Sequence, residues 1–365
     1  MIPKALSANS CGRMTHPSVL RKQEHCPEFT ISENWARQNR RKAMEIAITG
    51  TNAVTYPNLH IWDWRIAIYL FLGGLSAGLM VMSSISNLRK GKDVAMDKAC
   101  CVRGPLIAPL ILAVGMFFIW LDVERKFNTF WFFLTFQPLS PMSWGSWGVG
   151  IIIPLSFCYG LSTVPEEMRG MLKYDILKLL SAKLHPYMRR LAMINFGLGI
   201  FLGIYTGVLL SAFVARPLWN SSILPLLFLN SALSTGAALL IMMAKRPSVK
   251  LFFTKIDIWL IFAEIVIIFL FFYGHYTSTG PQRLSIMPFF SFTSEYFFYA
   301  ASIILIWILF PLALVLKLME VKEEHGDTLT SSQLFKMKLS AVMVLLGGLI
   351  IRLAFLYAGQ LSRLS

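Results

Sequence analysis

An apolar run that ends near position 122 is followed by acidic residues and then by a loop rich in serine and aromatic residues. The stretch 118–148 reads FIWLDVERKFNTFWFFLTFQPLSPMSWGSWG, with Asp122 and Glu124 closing the apolar run. A carboxylate in such a place can accept a proton, and aromatic side chains provide flat apolar walls with a polar edge. Residues 118–148 thus bring proton-accepting and ring-stacking groups to one end of an apolar run.

Other polar side chains lie within apolar runs or at their ends. An ionisable group inside a membrane costs several kcal/mol unless it faces the interior of a helix bundle, so its presence needs a reason. A helix rises about 1.5 Å per residue, so the depth of each polar residue can be counted along its run. If successive runs cross a membrane in opposite directions, nearly all of these residues lie toward the same side of it. The residues concerned are His60, Asp63, Asp122, Glu124, Tyr205, Thr206, Asn230, Ser231, Ser234, His275, Tyr276, Arg352, Tyr357 and Gln360.

Glu264 and Arg352 are the ionisable residues that lie deepest in the apolar runs. Their predicted heights differ by roughly 10 Å at about 1.5 Å per residue. An ion pair between them would need a tilted helix or an intervening water. Two interpretations stay open for both residues, namely a structural role and a role in proton transfer.

The elements that must position these groups are membrane helices. Of the 365 residues, 56% are hydrophobic and 13% aromatic, which is too apolar for a soluble domain. A bilayer core of roughly 30 Å needs about 20 apolar residues per helix. Such runs lie near 62–86, 105–122, 144–162, 190–213, 223–243, 257–277, 296–318 and 336–359. We therefore predict an all-α polytopic membrane protein with eight transmembrane helices.

The net charge is +15, and the distribution of Lys and Arg indicates how the protein is oriented in the membrane and does not indicate nucleic-acid binding. Lys and Arg are concentrated in the loops after the first, third, fifth and seventh runs, which the positive-inside rule makes cytoplasmic. Both termini and the loops 123–143, 214–222 and 279–295 are then predicted to face outward. Residues 1–43 of the N-terminal tail (1–57) are basic and fit this poorly, so we expect either that they are a disordered tail or that the true start is Met44.

The sequence predicts no metal, haem or iron–sulfur cluster in this protein. A transmembrane haem b needs facing pairs of histidines, whereas only His60 and His275 approach the bilayer. The five cysteines follow no zinc or iron–sulfur spacing, and neither a CxxCH haem attachment site nor a phosphate-binding P-loop is present.

Two short similarities indicate an old duplication of a four-helix unit. FLGGLSAG at 71–78 is similar to FLNSALSTG at 228–236, and YTGVLLS at 205–211 is similar to YAGQLS at 357–362. The members of each pair are predicted to cross the membrane in the same direction, so the repeat is parallel. Chance similarity between apolar helices rich in Gly and Leu is the alternative interpretation.

Five motifs in a fixed order resemble the NrfD/polysulfide reductase membrane-anchor family. They are WDWRIAIYLFLGGLSAG (62–78), WLDVER with SPMSWGSWG (120–125 and 140–148), YTGVLLSAFVARPLWN (205–220), LFLNSALSTGAA (227–238) and RLAFLYAGQ (352–360). The resemblance covers about residues 58–361. Members of this family are quinone-reactive subunits of respiratory iron–sulfur oxidoreductase complexes.

The resemblance implies two four-helix bundles, residues 58–213 with the quinone site and residues 214–365. It implies an exchangeable menaquinone or ubiquinone near the outer face of the bacterial inner (cytoplasmic) membrane. The implied partners are a four-cluster ferredoxin-like iron–sulfur subunit and a catalytic or cytochrome subunit. Electron exchange between the quinone pool and these partners is the implied function, with proton translocation as an additional activity.

A quinol loses two protons with its two electrons, so its site needs proton acceptors, hydrogen-bond partners and aromatic walls. We expect Asp122, with His60 or Asp63, to accept protons, and Tyr205 to donate a hydrogen bond to a quinone oxygen. The full set of quinone-binding candidates is His60, Asp63, Trp64, Tyr69, Asp122, Ser143, Tyr205 and Thr206. The proton-transfer candidates are Asp122, Glu124, Glu264 and Arg352.

Several of these candidates have structural alternatives, and the protein has alternative functions. Tyr205 can cap a packed helix, Trp64 can belong to an interfacial aromatic belt, and Asp122 can pair with Arg125. An ion or proton transporter would explain Glu264, but transporters usually have helices broken at mid-membrane. A structural anchor that binds no quinone is the other alternative.

Overall fold

The computed structural model of the protein describes residues 62–89, 99–170, 173–290, 308–314, 316 and 331–362. This part of the sequence is helical with connecting turns and contains no strand, which confirms the predicted all-α class. The predicted tail, residues 1–57, and the candidate His60 lie outside it.

Seven helices in the described part are long and apolar enough to cross a membrane. In chain order the helices are α1 (Trp64–Leu88), α2 (Gly104–Asp122), α3 (Trp131–Leu134), α4 (Pro141–Ser162), α5 (Glu166–Arg169), α6 (Asp175–Leu184), α7 (Met188–Ser211), α8 (Leu224–Met243), α9 (Pro247–Thr277), α10 (Gly280–Phe290) and α11 (Ser331–Leu361). The spanning helices are α1, α2, α4, α7, α8, α9 and α11.

These seven helices correspond to seven of the eight predicted runs. The other run, 296–318, lies mostly outside the described residues, and its residues 310–314 are α-helical. The eighth spanning helix therefore stays a prediction.

Proline begins several of the spanning helices. Pro141 and Pro247 are the first residues of α4 and α9, and Pro225 is the second residue of α8. The first turn of a helix leaves its N–H groups without intrahelical partners, so proline loses nothing there and its fixed φ favours the helix. The loop sequences therefore determine where these apolar segments become helical.

Helix α1 is the most buried of the spanning helices. It packs extensively against α2, α7 and α8, while α2 also contacts α4 and α4 contacts α7. Helices α1, α2, α4 and α7 thus surround a common interior. The division of the whole protein into two four-helix bundles, 58–213 and 214–365, stays a prediction.

Helices α1 and α8 touch through their backbones. A Cβ atom on Gly78 would overlap the carbonyl group of Ala232, and one on Gly236 would overlap the backbone of Gly78. Lipid tails are as apolar as leucine, so close approach through small residues is what holds membrane helices together. The contact joins the two segments that the sequence repeat pairs, 71–78 and 228–236.

The spanning helices from α1 to α9 alternate in direction, and α11 runs in the same direction as α9, so the helix ends form two groups. One group contains Trp64, Asp122, Pro141, Ser211, Leu224, Thr277 and Leu361 and is called the Asp122 end. The other contains Leu88, Gly104, Ser162, Met188, Met243, Pro247 and Ser331 and is called the Pro247 end. Hydrogen bonds between Trp62 and Gln360, 3.1 and 2.9 Å long, join the first and last helices at the Asp122 end. That this end faces outward stays a prediction.

Candidate functional site

Tyr69 lies on α1 where α2 and α7 meet it. A Cβ atom on Gly115 of α2 would lie 3.6 Å from the Tyr69 ring, which is van der Waals contact, so the ring packs against α2 at Gly115. One turn along α1, a Cβ on Gly73 would lie 3.8 Å from the methyl group of Thr206 on α7. The same Cβ atom would lie 4.0 Å from the Tyr69 ring, and Tyr205 directly precedes Thr206 on α7. The structure therefore brings together three predicted site residues, Tyr69, Tyr205 and Thr206.

A cavity of about 300 Å³ opens beside Tyr205. Its lining residues are Pro138, Leu139, Pro141, Trp144, Phe201, Ile204, Tyr205 and Val208. Small-molecule sites typically combine apolar and aromatic walls with a few placed polar groups. The phenol of Tyr205 supplies a hydroxyl group among these side chains, so the cavity can take a flat apolar ring with a polar edge.

The Tyr205 ring is fixed by its neighbours on two sides. A Cβ atom on Gly145 of α4 would overlap the phenol oxygen, so α4 passes directly over it. The ring of Phe201 stacks on Tyr205 with centroids 6.1 Å apart and an interplanar angle of 21°. Among the described residues the phenol forms no hydrogen bond. The hydroxyl is thus held in place at the cavity wall and is available to a bound molecule.

The loop before α4 forms one wall of the cavity, and Ser143 holds it. The Ser143 hydroxyl accepts a 2.9 Å hydrogen bond from the Gln137 N–H and donates one of 3.4 Å to the Thr135 carbonyl. The indole N–H of Trp144 donates a 2.7 Å hydrogen bond to the Pro138 carbonyl. Ser143, predicted to contact quinone directly, uses its hydroxyl for these loop contacts.

The Asp122 carboxylate pairs with Arg65 of α1 at 3.6 Å, not with Arg125. Arg65 lies one helical turn before Tyr69, so the pair lies one turn nearer the Asp122 end than the tyrosine cluster. The Arg65 and Asp122 side chains are 39% and 22% exposed, and ion pairs this open to solvent contribute about 0–1 kcal/mol to stability. The small contribution of this ion pair to stability therefore does not explain the presence of an acid at position 122.

The remaining described candidates at this end do not line the cavity. Asp63 is exposed just before α1, and Glu124 is exposed in the turn after α2. Trp64 is half exposed and its ring meets Phe118 edge-on at 6.2 Å. The exposed position of Trp64 at the end of α1 agrees with its interpretation as part of an interfacial aromatic belt.

Comparison with known families decides the family of this protein. A family model described as "Polysulphide reductase, NrfD" matches residues 52–362. The chain belongs to the NrfD family. Together with the seven apolar helices of the described part, this membership establishes an integral membrane protein.

Relatives of this NrfD-family protein include components of two reductases. It is 31% identical to a component of the polysulfide reductase of Wolinella succinogenes over 319 residues, 83% of its own length and 95% of that protein. It is 30% identical to protein NrfD of Escherichia coli over 240 residues, 62% of its own length and 75% of that protein. A component of the tetrathionate reductase of Salmonella typhimurium is 27% identical over 191 residues, 52% of the present sequence and 50% of that protein.

A second polar cluster surrounds Arg352 in the NrfD-family protein. The guanidinium is fully buried, and its Nε donates a 3.1 Å hydrogen bond to the Leu70 carbonyl. Its Nη1 donates to the Gly348 carbonyl at 2.8 Å and to the Ser231 hydroxyl at 3.1 Å. Arg352 therefore joins α11 to α8 and to the peptide next to Tyr69.

Glu264 lies beside Ser231, with which it lines a small cavity. The carboxylate interacts with Ser231 and, electrostatically, with Arg352. The Ser231 hydroxyl accepts the hydrogen bond from Arg352 and lines the same small cavity as Glu264, so it adjoins both charged groups. The predicted difference in height is thus bridged by a hydroxyl group.

Sequence reasoning missed Asp257 as a member of this cluster. Its carboxylate accepts a 2.5 Å hydrogen bond from the Ser234 hydroxyl and is 3% exposed. The predicted run begins at 257, whereas α9 begins at Pro247, so Asp257 is buried within a helix. The spacing of seven residues between Asp257 and Glu264 puts both on one helix face, and that signal is readable in the sequence.

Proposed function

We propose that this NrfD-family protein is the membrane subunit of a respiratory reductase complex and exchanges electrons between the quinone pool and an iron–sulfur partner. Two relatives are named as parts of a polysulfide reductase and a tetrathionate reductase, which supports a reductase complex. The observation that carries the quinone assignment is the cavity beside Tyr205, with its aromatic walls and its phenol, at the Asp122 end.

The cavity walls suit a quinone ring. Trp144 and Phe201 offer aromatic faces, and the Tyr205 phenol can donate a hydrogen bond to a quinone oxygen. Leu139 at the mouth is almost fully exposed, so the wall is continuous with the surface of the helices. A headgroup of menaquinone or ubiquinone can therefore enter from the lipid while its tail stays outside.

The proton chemistry falls to the neighbouring acid. A bound quinol supplies two electrons and two protons, and the electrons leave for the partner. Asp122 pairs with Arg65, one turn from Tyr69, and keeps contact with solvent, so its carboxylate can take the two protons one after the other and release each to solvent. Arg65 holds that carboxylate at the end of α2.

An iron–sulfur partner is the proposed recipient of these electrons. We propose a four-cluster ferredoxin-like subunit docked at the Asp122 end and a catalytic or cytochrome subunit beyond it. The predicted outward orientation of this end would put both partners on the extracytoplasmic side.

Replacing Tyr205 by Phe tests the assignment. Loss of one hydrogen bond of about 1 to 1.5 kcal/mol should lower kcat/KM for a water-soluble quinol by about tenfold in the purified complex. Tyr273→Phe is the matched control, because Tyr273 lies on α9 and lines a different apolar groove. Equal effects of the two variants, or no effect of Tyr205→Phe, would contradict the assignment.

Extraction of the purified complex distinguishes the other functions. A quinone site predicts bound quinone that a quinone analogue displaces. An assembled complex without quinone and without sensitivity to the analogue would favour a structural anchor, and ion flux without redox turnover would favour a transporter.

A further inference from the structure

Three ionisable side chains lie buried inside the spanning helices near the Ser231 hydroxyl. Asp257, Glu264 and Arg352 are 3%, 6% and 0% exposed. If both carboxyls were ionised, the cluster would hold one uncompensated negative charge within the bilayer. Such a charge is costly in a low-dielectric interior, and one bound proton removes it.

Within the described part of the protein, the members of this cluster interact with one another. The hydrogen bond to Asp257 comes from Ser234, and the charges acting on Glu264 are those of Arg352 and Asp257. Lys250, a buried cation on the same helix, lies two turns closer to the Pro247 end and has contacts of its own.

Glu264 has an oxygen atom that can bind a proton, and a small cavity connects this carboxyl group to Ser234. Glu264 Oε1 and Arg352 Nη2 are buried and have no hydrogen-bond partner among the described residues. Glu264 lines a cavity of about 10 Å³ together with Ser231 and Ser234, which is room for about one water molecule. This cavity therefore joins the serine that binds Asp257 to the unpartnered oxygen of Glu264.

We propose that Asp257 and Glu264 share one exchangeable proton beside Arg352, and that it passes between them by way of the Ser234 hydroxyl and the cavity. When the proton moves from Asp257 to Glu264, the first group becomes the carboxylate and the second the acid. Ser234 passes its own proton to a water molecule in the cavity as it receives the one from Asp257, and that water passes a proton to Glu264. No electron moves in this step.

The shared proton lies between the Pro247 end and the cavity beside Tyr205. Asp257 is ten residues, or about 15 Å, from the start of α9, and Glu264 is two turns further along. Arg352 then reaches the carbonyl of Leu70, the residue after Tyr69. A link between this proton and quinone turnover rests on the proposed function, whereas the shared proton itself does not.

Infrared spectroscopy of the purified complex tests the shared proton. The wild type should show the carbonyl band of one buried protonated carboxylic acid. Both Glu264→Gln and Asp257→Asn should remove the band, because either change leaves one carboxylate to balance Arg352. Asp175→Asn is the control, since Asp175 is exposed and pairs with Lys178 at 2.8 Å. Arg352→Lys keeps the charge and should keep the band.

The outcomes distinguish a proton that Asp257 and Glu264 share from a proton that stays on one of them. No band in the wild type, or loss of the band in only one of the two carboxyl variants, overturns the proposal. A variant that does not assemble is replaced by its conservative partner, Glu264→Asp or Asp257→Glu, each of which should retain the band. A quinol assay on the same samples reports the proposed function separately, because the band does not require turnover.

The path is tested by the rate at which the band shifts in deuterium oxide. Ser234→Ala should slow this exchange by about tenfold through loss of one relay hydrogen bond. Ser76→Ala is the matched control, because the buried Ser76 hydroxyl donates to the Ala108 carbonyl and lies outside the cavity. An unchanged rate in Ser234→Ala would overturn the path.

Discussion

Asp122 forms an ion pair with Arg65, so the role of Asp122 can be tested by replacing each of the two residues separately. We predict that Asp122→Asn lowers the rate of quinol oxidation by about 100-fold or more, the usual contribution of a positioned proton acceptor. The free energy of unfolding should change by less than about 1 kcal/mol, because the pair is open to solvent. Stopped-flow kinetics and thermal unfolding of the complex measure the two effects.

Arg65→Gln is the control for this prediction. If Asp122 accepts the proton, removing the arginine should slow oxidation much less than removing the carboxylate. Equal losses in the two variants would show that the ion pair, and not proton acceptance, is what the site needs. Glu124→Gln, at an exposed position two residues on, should leave the rate unchanged.

Individual residues were predictable from the sequence where chain position alone decides their place. Tyr69 and Tyr205 could be assigned to the same end because each lies a countable number of residues along its apolar run. Arg65 could not be recognised as the partner of Asp122, since that pairing depends on how α1 and α2 rotate against each other. The loop contacts of Ser143 were equally hidden, because a hydroxyl can serve a loop as well as a ligand.

At the scale of helices, the close contact of α1 and α8 makes a stability prediction. Gly78→Leu should destabilise the protein by about 1 to 3 kcal/mol or more, because the new side chain meets backbone atoms that cannot move aside. Thermal unfolding of the purified protein, followed by the loss of a monodisperse peak, measures the change.

Gly197→Leu is the matched control for the helix contact. Gly197 lies in α7, and a Cβ atom there would meet nothing within 4 Å. The same substitution should therefore leave the unfolding temperature nearly unchanged. A similar loss in both variants would mean that leucine is harmful in any helix of this protein, and the close contact would lose its explanatory role.

Hydropathy located most of the spanning helices to within a few residues, and α9 is the exception. Its start lies ten residues before the predicted start of its run, at Pro247. The hydropathy pattern places Lys250 and Lys255 in a loop because they are charged. Charge does not stop a helix, so hydropathy located the apolar part of α9 and not its beginning.

For the whole molecule, the orientation in the membrane is the prediction that remains to be measured. To measure it, a single cysteine is introduced into a variant without reactive cysteines, either as Asn128→Cys or as Lys178→Cys. Asn128 lies in the loop before α4, and Lys178 lies on α6 at the opposite end. An impermeant maleimide should label Asn128→Cys in right-side-out vesicles and should label Lys178→Cys only after permeabilisation, because basic loops stay inside. The reverse pattern would contradict the outward placement of the Asp122 end.

The backbone contact between Gly78 and Gly236 also bears on how this protein can work as a machine. Transporters commonly alternate by rocking one half of the molecule against the other, which requires a sliding surface between the halves. Here the backbones of α1 and α8 are in direct contact at two glycines, so the two helices have no layer of side chains between them at this point. If the proposed function includes energy transfer across this protein, we expect protons and side chains to carry it without a displacement of α1 against α8.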